Sequence, residues 1–95
     1  MKKTLALIES SLATSLSTLK VRNIKINGKR TTVRLEPFFW EELKNIAKEE
    51  EMTVHELCSF IDERHLKNSS LSSALRVLVG AHLKYKANLK IKNEE

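Results

Sequence analysis

A mainly α-helical fold entered through a short N-terminal β ribbon is what this chain predicts, on three observations. Side-chain character alternates strictly from Arg30 through Thr31, Thr32, Val33 and Arg34 to Leu35, which is the period of a strand. Just before it stands Asn27-Gly28, the dipeptide of a type I′ hairpin turn, because both residues accept positive φ. After Pro37 the apolar residues recur at helical spacing, and Thr53 followed three positions later by Glu56 has the form of a capping box that opens another helix.

The elements follow in order. Residues 1–20 begin with Lys2 and Lys3 and then Leu5, Ala6, Leu7 and Ile8, a run that Glu9 ends. Four apolar residues fall short of the roughly 7–15 in the centre of a secretion signal. Serines and threonines between Leu12, Leu16 and Leu19 compete for backbone groups, so this stretch reads as a flexible arm or a helix formed only on contact. Residues 21–26 and 29–35 then make the hairpin, and its two-residue turn sets Lys25 opposite Arg30, Ile24 opposite Thr31 and Asn23 opposite Thr32. One face takes Ile24, Thr31, Val33 and Leu35; the other takes Asn23, Lys25, Arg30, Thr32 and Arg34.

Pro37 suits the first position of a helix, and Glu36 before it suits the positive end of the dipole. Phe39, Trp40, Leu43, Ile46 and Ala47 form its apolar stripe, with Phe38 on the opposite side. In the second helix Val54, Leu57, Phe60 and Ile61 are the expected buried arc. A third helix starts near Ser70 and turns Ala74, Leu75, Leu78, Val79, His82 and Leu83 inward, while the charged stretch from Lys84 is expected to fray. The organisation is then an arm at 1–20, one domain at 21–86 and a charged tail at 87–95.

Ninety-five residues allow one domain with a modest core, and the single cysteine, Cys58, cannot form an internal disulfide. Oligomerisation is the expected remedy, in the cytoplasm. Charge is segregated along the chain. Residues 1–34 hold eight Lys or Arg against Glu9 alone; residues 35–66 hold three basic and nine acidic groups; residues 67–95 hold six against two. Such an arrangement fits a polyanion approached by the first third, with the acidic middle facing away. Arg30, Thr32 and Arg34 add chemistry to that charge, since guanidinium forks read guanine edges in a DNA major groove and a hydroxyl reads either neighbour. One strand does not fill the groove, whereas two from a symmetric dimer do. Four strands at about 4.8 Å spacing exceed its width of roughly 12 Å, so the first strand either peels away or lies over the phosphates beside the groove.

Gly28, then Arg30-Thr31-Thr32-Val33-Arg34-Leu35-Glu36-Pro37, then Phe39-Trp40, Ile46-Ala47 and Leu71-Ser72-Ser73-Ala74-Leu75-Arg76-Val77 stand in one order. Over residues 21–85 this resembles the ribbon-helix-helix DNA-binding proteins of bacteria, archaea and phages, in the branch with an added C-terminal helix. The resemblance implies an intertwined homodimer whose paired strands enter the major groove. It puts Arg30, Thr32 and Arg34 on base-reading positions, and Thr53 with Val54 on the helix start that clamps a phosphate. Lys25 and Lys29 are expected to add phosphate contacts. The apolar stripes look longer than one subunit can enclose, so Val33, Leu35, Trp40, Leu43, Leu57 and Ile61 are expected in the dimer core. Phe38 departs from the family pattern, where a polar residue is usual.

The expected function is a sequence-specific DNA-binding transcriptional repressor of a prokaryote, cytoplasmic and nucleoid-associated. Its partners would be double-stranded DNA and a second copy, with higher oligomers on DNA. No membrane, small-molecule substrate or cofactor is expected, because no run approaches the roughly 20 apolar residues of a membrane span and there is no glycine-rich phosphate loop. Catalysis is not expected either, since no nucleophile, base and orienting group assemble from these residues. His55, Cys58, His65 and His82 lack metal-ligand spacing. Two alternatives share the fold: a dimeric protein-interaction module that has lost its groove contacts, and an antitoxin-type partner-binding protein, for which the dozen residues after the third helix are short.

Overall fold

The computed structural model describes residues 19–65 and 67–94. Two strands, β1 (Lys20–Ile26) and β2 (Lys29–Leu35), are followed by α1 (Pro37–Glu49), α2 (Val54–Asp62) and α3 (Leu71–Glu94). This is the expected order, a two-stranded antiparallel ribbon and then three helices. The arm expected at 1–20 lies outside the described residues up to 18, and β1 takes in Lys20, one residue earlier than the spacing suggested. Trp40 explains that extension, because its Nε1–H donates to the Lys20 carbonyl at 3.0 Å and ties the start of β1 to α1.

Asn27 (φ 50°) and Gly28 (φ 83°) both occupy positive φ, as a type I′ turn requires. The register is the expected one, with Lys25 opposite Arg30, Ile24 opposite Thr31 and Asn23 opposite Thr32. Ile24, Ile26, Val33 and Leu35 are buried against the helices, while Asn23, Lys25, Arg30, Thr32 and Arg34 are exposed on the other face. The edges of the ribbon differ. The Lys25 backbone N–H donates to His55 Nδ1 at 2.9 Å, and its carbonyl accepts from Ser59 Oγ at 3.4 Å. Both groups therefore point away from β2, which makes Lys25 and Arg30 a non-hydrogen-bonded pair. By alternation the backbone groups of Arg30, Thr32 and Arg34 turn out from the far edge of β2. Ser72 Oγ covers the Arg34 carbonyl at 3.3 Å. So α2 closes the edge of β1, and among the described residues the edge of β2 stays open at Arg30 and Thr32.

In α1 the stripe buries Trp40, Leu43, Ile46 and Ala47, with Phe39 packed beside them. Its end is a Schellman turn: Met52 N–H bonds the Ala47 carbonyl and Glu51 holds the left-handed position at φ 55°. In α2 the buried residues are Leu57 and Cys58, flanked by the partly buried Val54 and Ile61. Phe60, expected in that arc, is 45% exposed and lies under the Arg64 guanidinium. The correction follows from helical geometry, because positions 54, 57, 58 and 61 make one stripe and Phe60 falls beside it.

Leu75 and Val79 of α3 are buried, Leu71 and Leu78 pack alongside, and Leu83, expected inward, is 39% exposed. Fraying from Lys84 is not what the helix does. It continues to Glu94, and His82 Nε2 and Lys86 Nζ both hold the Glu49 carboxylate at the end of α1, which ties α3 down past that point. Hydrogen bonds from Lys86, then from His82, and the charges of both, outweigh burial and lower the Glu49 pKa below 4.5.

The residues expected in a dimer core can be located within the single subunit. Val33, Leu35, Trp40, Leu43 and Leu57 are each at most 4% exposed within a single subunit, so they form its own interior. The stripes close because α3 supplies Leu75 and Val79 as a lid for α1 and α2. Only Ile61 of that set retains partial exposure, in an apolar groove with Ala74, Val77 and Leu78.

Candidate nucleic-acid interface

Period-2 geometry puts three cations, Lys25, Arg30 and Arg34, on the outer face of the hairpin. Between them Thr32 donates its hydroxyl to Asn23 Oδ1 across the strands at 3.1 Å, a bond that joins the middle of β1 to the middle of β2. The residues of this face are Val21, Asn23, Lys25, Arg30, Thr32 and Arg34, and none is acidic. Lys29, at the turn end, is exposed too. Arg22 belongs to the opposite face, where its guanidinium stacks over Trp40 at 5.4 Å from the ring centroid.

Two contacts fix the Arg34 end of the ribbon. One is the bond from Ser72 just described. In the other, Arg76 Nε donates to Glu36 Oε1 at 2.9 Å and its terminal nitrogen to Oε2 at 3.2 Å, a bidentate pair. Arg76 also lies over Phe39 at 5.7 Å, within the range of a cation–π contact. Desolvation raises the Glu36 carboxyl, but hydrogen bonds from its own backbone and from Arg76, with the charge of Arg76, hold it below its ordinary 4.5. The ribbon end, the start of α1 and the start of α3 are thus one rigid corner.

Thr53 caps α2. Its hydroxyl accepts from the Glu56 N–H at 3.1 Å while the Glu56 carboxylate accepts from the Thr53 N–H at 3.0 Å, the complete reciprocal box. The Thr53 hydroxyl is therefore already an acceptor inside the helix start, and the Thr53 N–H already serves a carboxylate. What remains for an incoming phosphate is the first-turn N–H groups that follow, beginning with Val54. Val54 itself is partly buried against the core.

Sequence reasoning weighed His55 only as a metal ligand. The fold instead brings its ring against the edge of β1, where it lines a hollow of about 340 Å³ with Asn23, Lys25 and Arg30. No signal in the sequence places it there, because the contact joins residues thirty positions apart. The other three candidate ligands are dispersed. Cys58 is in the core, where burial pushes its thiol from 9.0 up to about 11. His65 lies between Asp62 and Ser69, and His82 is on Glu49. Among the described residues no helix is long and apolar enough to cross a membrane.

The model of the ribbon-helix-helix domain family matches residues 19–83. The fold is also similar to that of an uncharacterized protein from Bordetella pertussis Tohama I, at 28% identity and a TM-score of 0.66. That similarity covers 80% of this chain and 63% of the other, so the chain spans less than two thirds of its structural relative. No curated protein matches the chain. The family match runs from the first residue of the ribbon through the packed half of α3, over the open strand edge, the outward arginines and the capped helix. The chain belongs to the ribbon-helix-helix domain family, a non-enzymatic fold of DNA-binding regulators.

Proposed function

We propose that the protein is a sequence-specific transcriptional regulator, a repressor, that binds double-stranded DNA in the cytoplasm as a homodimer through its ribbon. One observation carries the reading: the strand whose outer edge is open at Arg30 and Thr32 among the described residues is the strand that presents Arg30, Thr32 and Arg34 on a face without acid. Two such edges pair antiparallel about a two-fold axis. The paired β2 strands then offer four guanidinium groups to the base edges of one major groove, a chemistry suited to guanine O6 and N7. Lys25 and Lys29 flank them and meet phosphates, and the first turn of α2, from Thr53 and Val54, supplies backbone donors to another.

Binding is tested on a duplex selected from a random pool and on random duplex, across a range of salt. Arg34→Ala should lose roughly 1–3 kcal/mol on the selected site and much less on random DNA. Affinity for both should fall steeply as salt rises, because several phosphates per dimer are neutralised. If the Arg30→Ala, Arg34→Ala double variant, folded and dimeric, binds every duplex as the parent does, the ribbon is a surface for protein partners and the reading is wrong.

A further inference from the structure

We propose that the hollow between β1 and the first turn of α2 seats one phosphate of the DNA backbone, with the His55 imidazole as a ligand beside Lys25. The proposal rests on the reading that two hairpins pair through β2 at the groove. It adds what becomes of β1, which a ribbon of two single strands would not contain.

Four strands at about 4.8 Å spacing put the axes of the two β1 strands about 14 Å apart, more than the roughly 12 Å of the groove. The β1 strand does not swing clear, because the Lys25 N–H and carbonyl are bonded to His55 and Ser59 of α2 and the Lys20 carbonyl to Trp40 of α1. It therefore rides on the wall of the groove, and the wall is made of phosphates. The part of β1 that meets that wall is the hollow lined by Asn23, Lys25, Arg30 and His55.

The bond to the strand fixes the state of the ring. His55 Nδ1 accepts the Lys25 N–H at 2.9 Å, so its ring hydrogen is on Nε2, and that atom is a donor. Asn23 contributes an amide, Lys25 an ammonium and Arg30 a guanidinium, so each lining residue offers a hydrogen-bond donor to an anionic oxygen. The nearby Glu56 carboxylate is held by the Thr53 N–H and does not line the hollow. One ring thus couples the clamp on β1 to the grip on DNA.

Asparagine separates those two roles, since its amide oxygen replaces Nδ1 as acceptor for Lys25 while nothing replaces Nε2. His55→Asn should keep the melting temperature of the parent and bind selected and random duplexes equally more weakly, by roughly three- to tenfold. Duplexes with one neutral methylphosphonate, scanned position by position, should weaken the parent at several backbone positions, and the variant should be less sensitive than the parent at one of them per half-site. In the parent the ¹⁵N resonance of His55 Nε2 should move on addition of duplex. If His55→Asn binds as the parent does, or the Nε2 resonance stays still while Arg34→Ala still relaxes specificity, His55 only pins the strand and the proposal is overturned with the DNA reading intact. If the double arginine variant binds as the parent does, the DNA reading falls and takes this one with it.

Discussion

Arg34 shows how much of a side chain's work is done by its neighbours. Among the described residues its guanidinium has no partner on the outer face, yet its carbonyl is held by Ser72 and the residue two places on, Glu36, is clamped by Arg76. The base reading proposed for Arg34 would draw on such a fixed origin, because every unfrozen torsion upstream blurs a contact. Leu43 is the opposite case, fully buried between the ribbon-facing side of α1 and its neighbours. Leu43→Ala should destabilise the protein by about 3 kcal/mol or more, read as a lowered denaturation midpoint, since the cavity adds to the lost transfer energy. Cys58 is equally enclosed, and its thiol, pushed up to about 11, is overwhelmingly protonated at neutral pH. A disulfide reagent should label it only as fast as the chain unfolds, and burst labelling of the native protein would contradict the burial. The outward arginines were legible in the sequence because strand alternation alone assigns faces. The seat of His55 was not, because it depends on how α2 lies across β1.

At the scale of elements, local signals were the readable ones. Asn27-Gly28 set the register of the whole hairpin, and Thr53 with Glu56 set the start of α2, because both act within four residues. Phe60 and the length of α3 were misjudged for a shared reason: the buried arc of a helix and its end depend on partners far away in sequence. His82 and Lys86 reach back to Glu49 and carry α3 beyond its apolar stretch. The left-handed Glu51 that ends α1 had no glycine to announce it. Glu51→Gly should stabilise the fold by up to about 1 kcal/mol in thermal denaturation, as it removes a side chain from positive φ. The corner of Glu36 and Arg76 gives a pH signature. The folded-state pKa of Glu36 is below 4.5, so its stabilisation is fully present above the unfolded value and is lost as pH falls through the folded one. Stability followed from about pH 6 to about pH 3 should decline below about 4.5, and Arg76→Met should flatten that decline.

At the scale of the whole molecule, the proposed dimer has to be reconciled with a subunit that encloses its own core. Within one chain α3 closes the interior, with Leu35, Leu43, Leu75 and Val79 all essentially inaccessible. Among the described residues two kinds of surface are left for a partner: the outward backbone of β2 at Arg30 and Thr32, an edge that native proteins pair, cover or charge, and exposed apolar side chains such as Val77 and Phe60. Arg30 and Arg34 repel a second copy, so an edge-to-edge dimer would be held by the ladder and by contacts such as the groove at Ile61 and Val77, and DNA would relieve the repulsion. Proline distinguishes this edge from the inner one. The Thr32 N–H points out of the hairpin, whereas Thr31, paired with Ile24, sends its own into the β1 ladder. Thr32→Pro should therefore leave the hairpin and helices folded by circular dichroism while shifting sedimentation at micromolar concentration from dimer toward monomer, and DNA affinity should fall with it. Thr31→Pro should instead weaken the hairpin itself, because it removes a bond within the subunit. A Thr32→Pro protein that sediments as the parent does would place the dimer interface elsewhere, with the helical groove at Ile61 and Val77 as a candidate apolar surface to carry it.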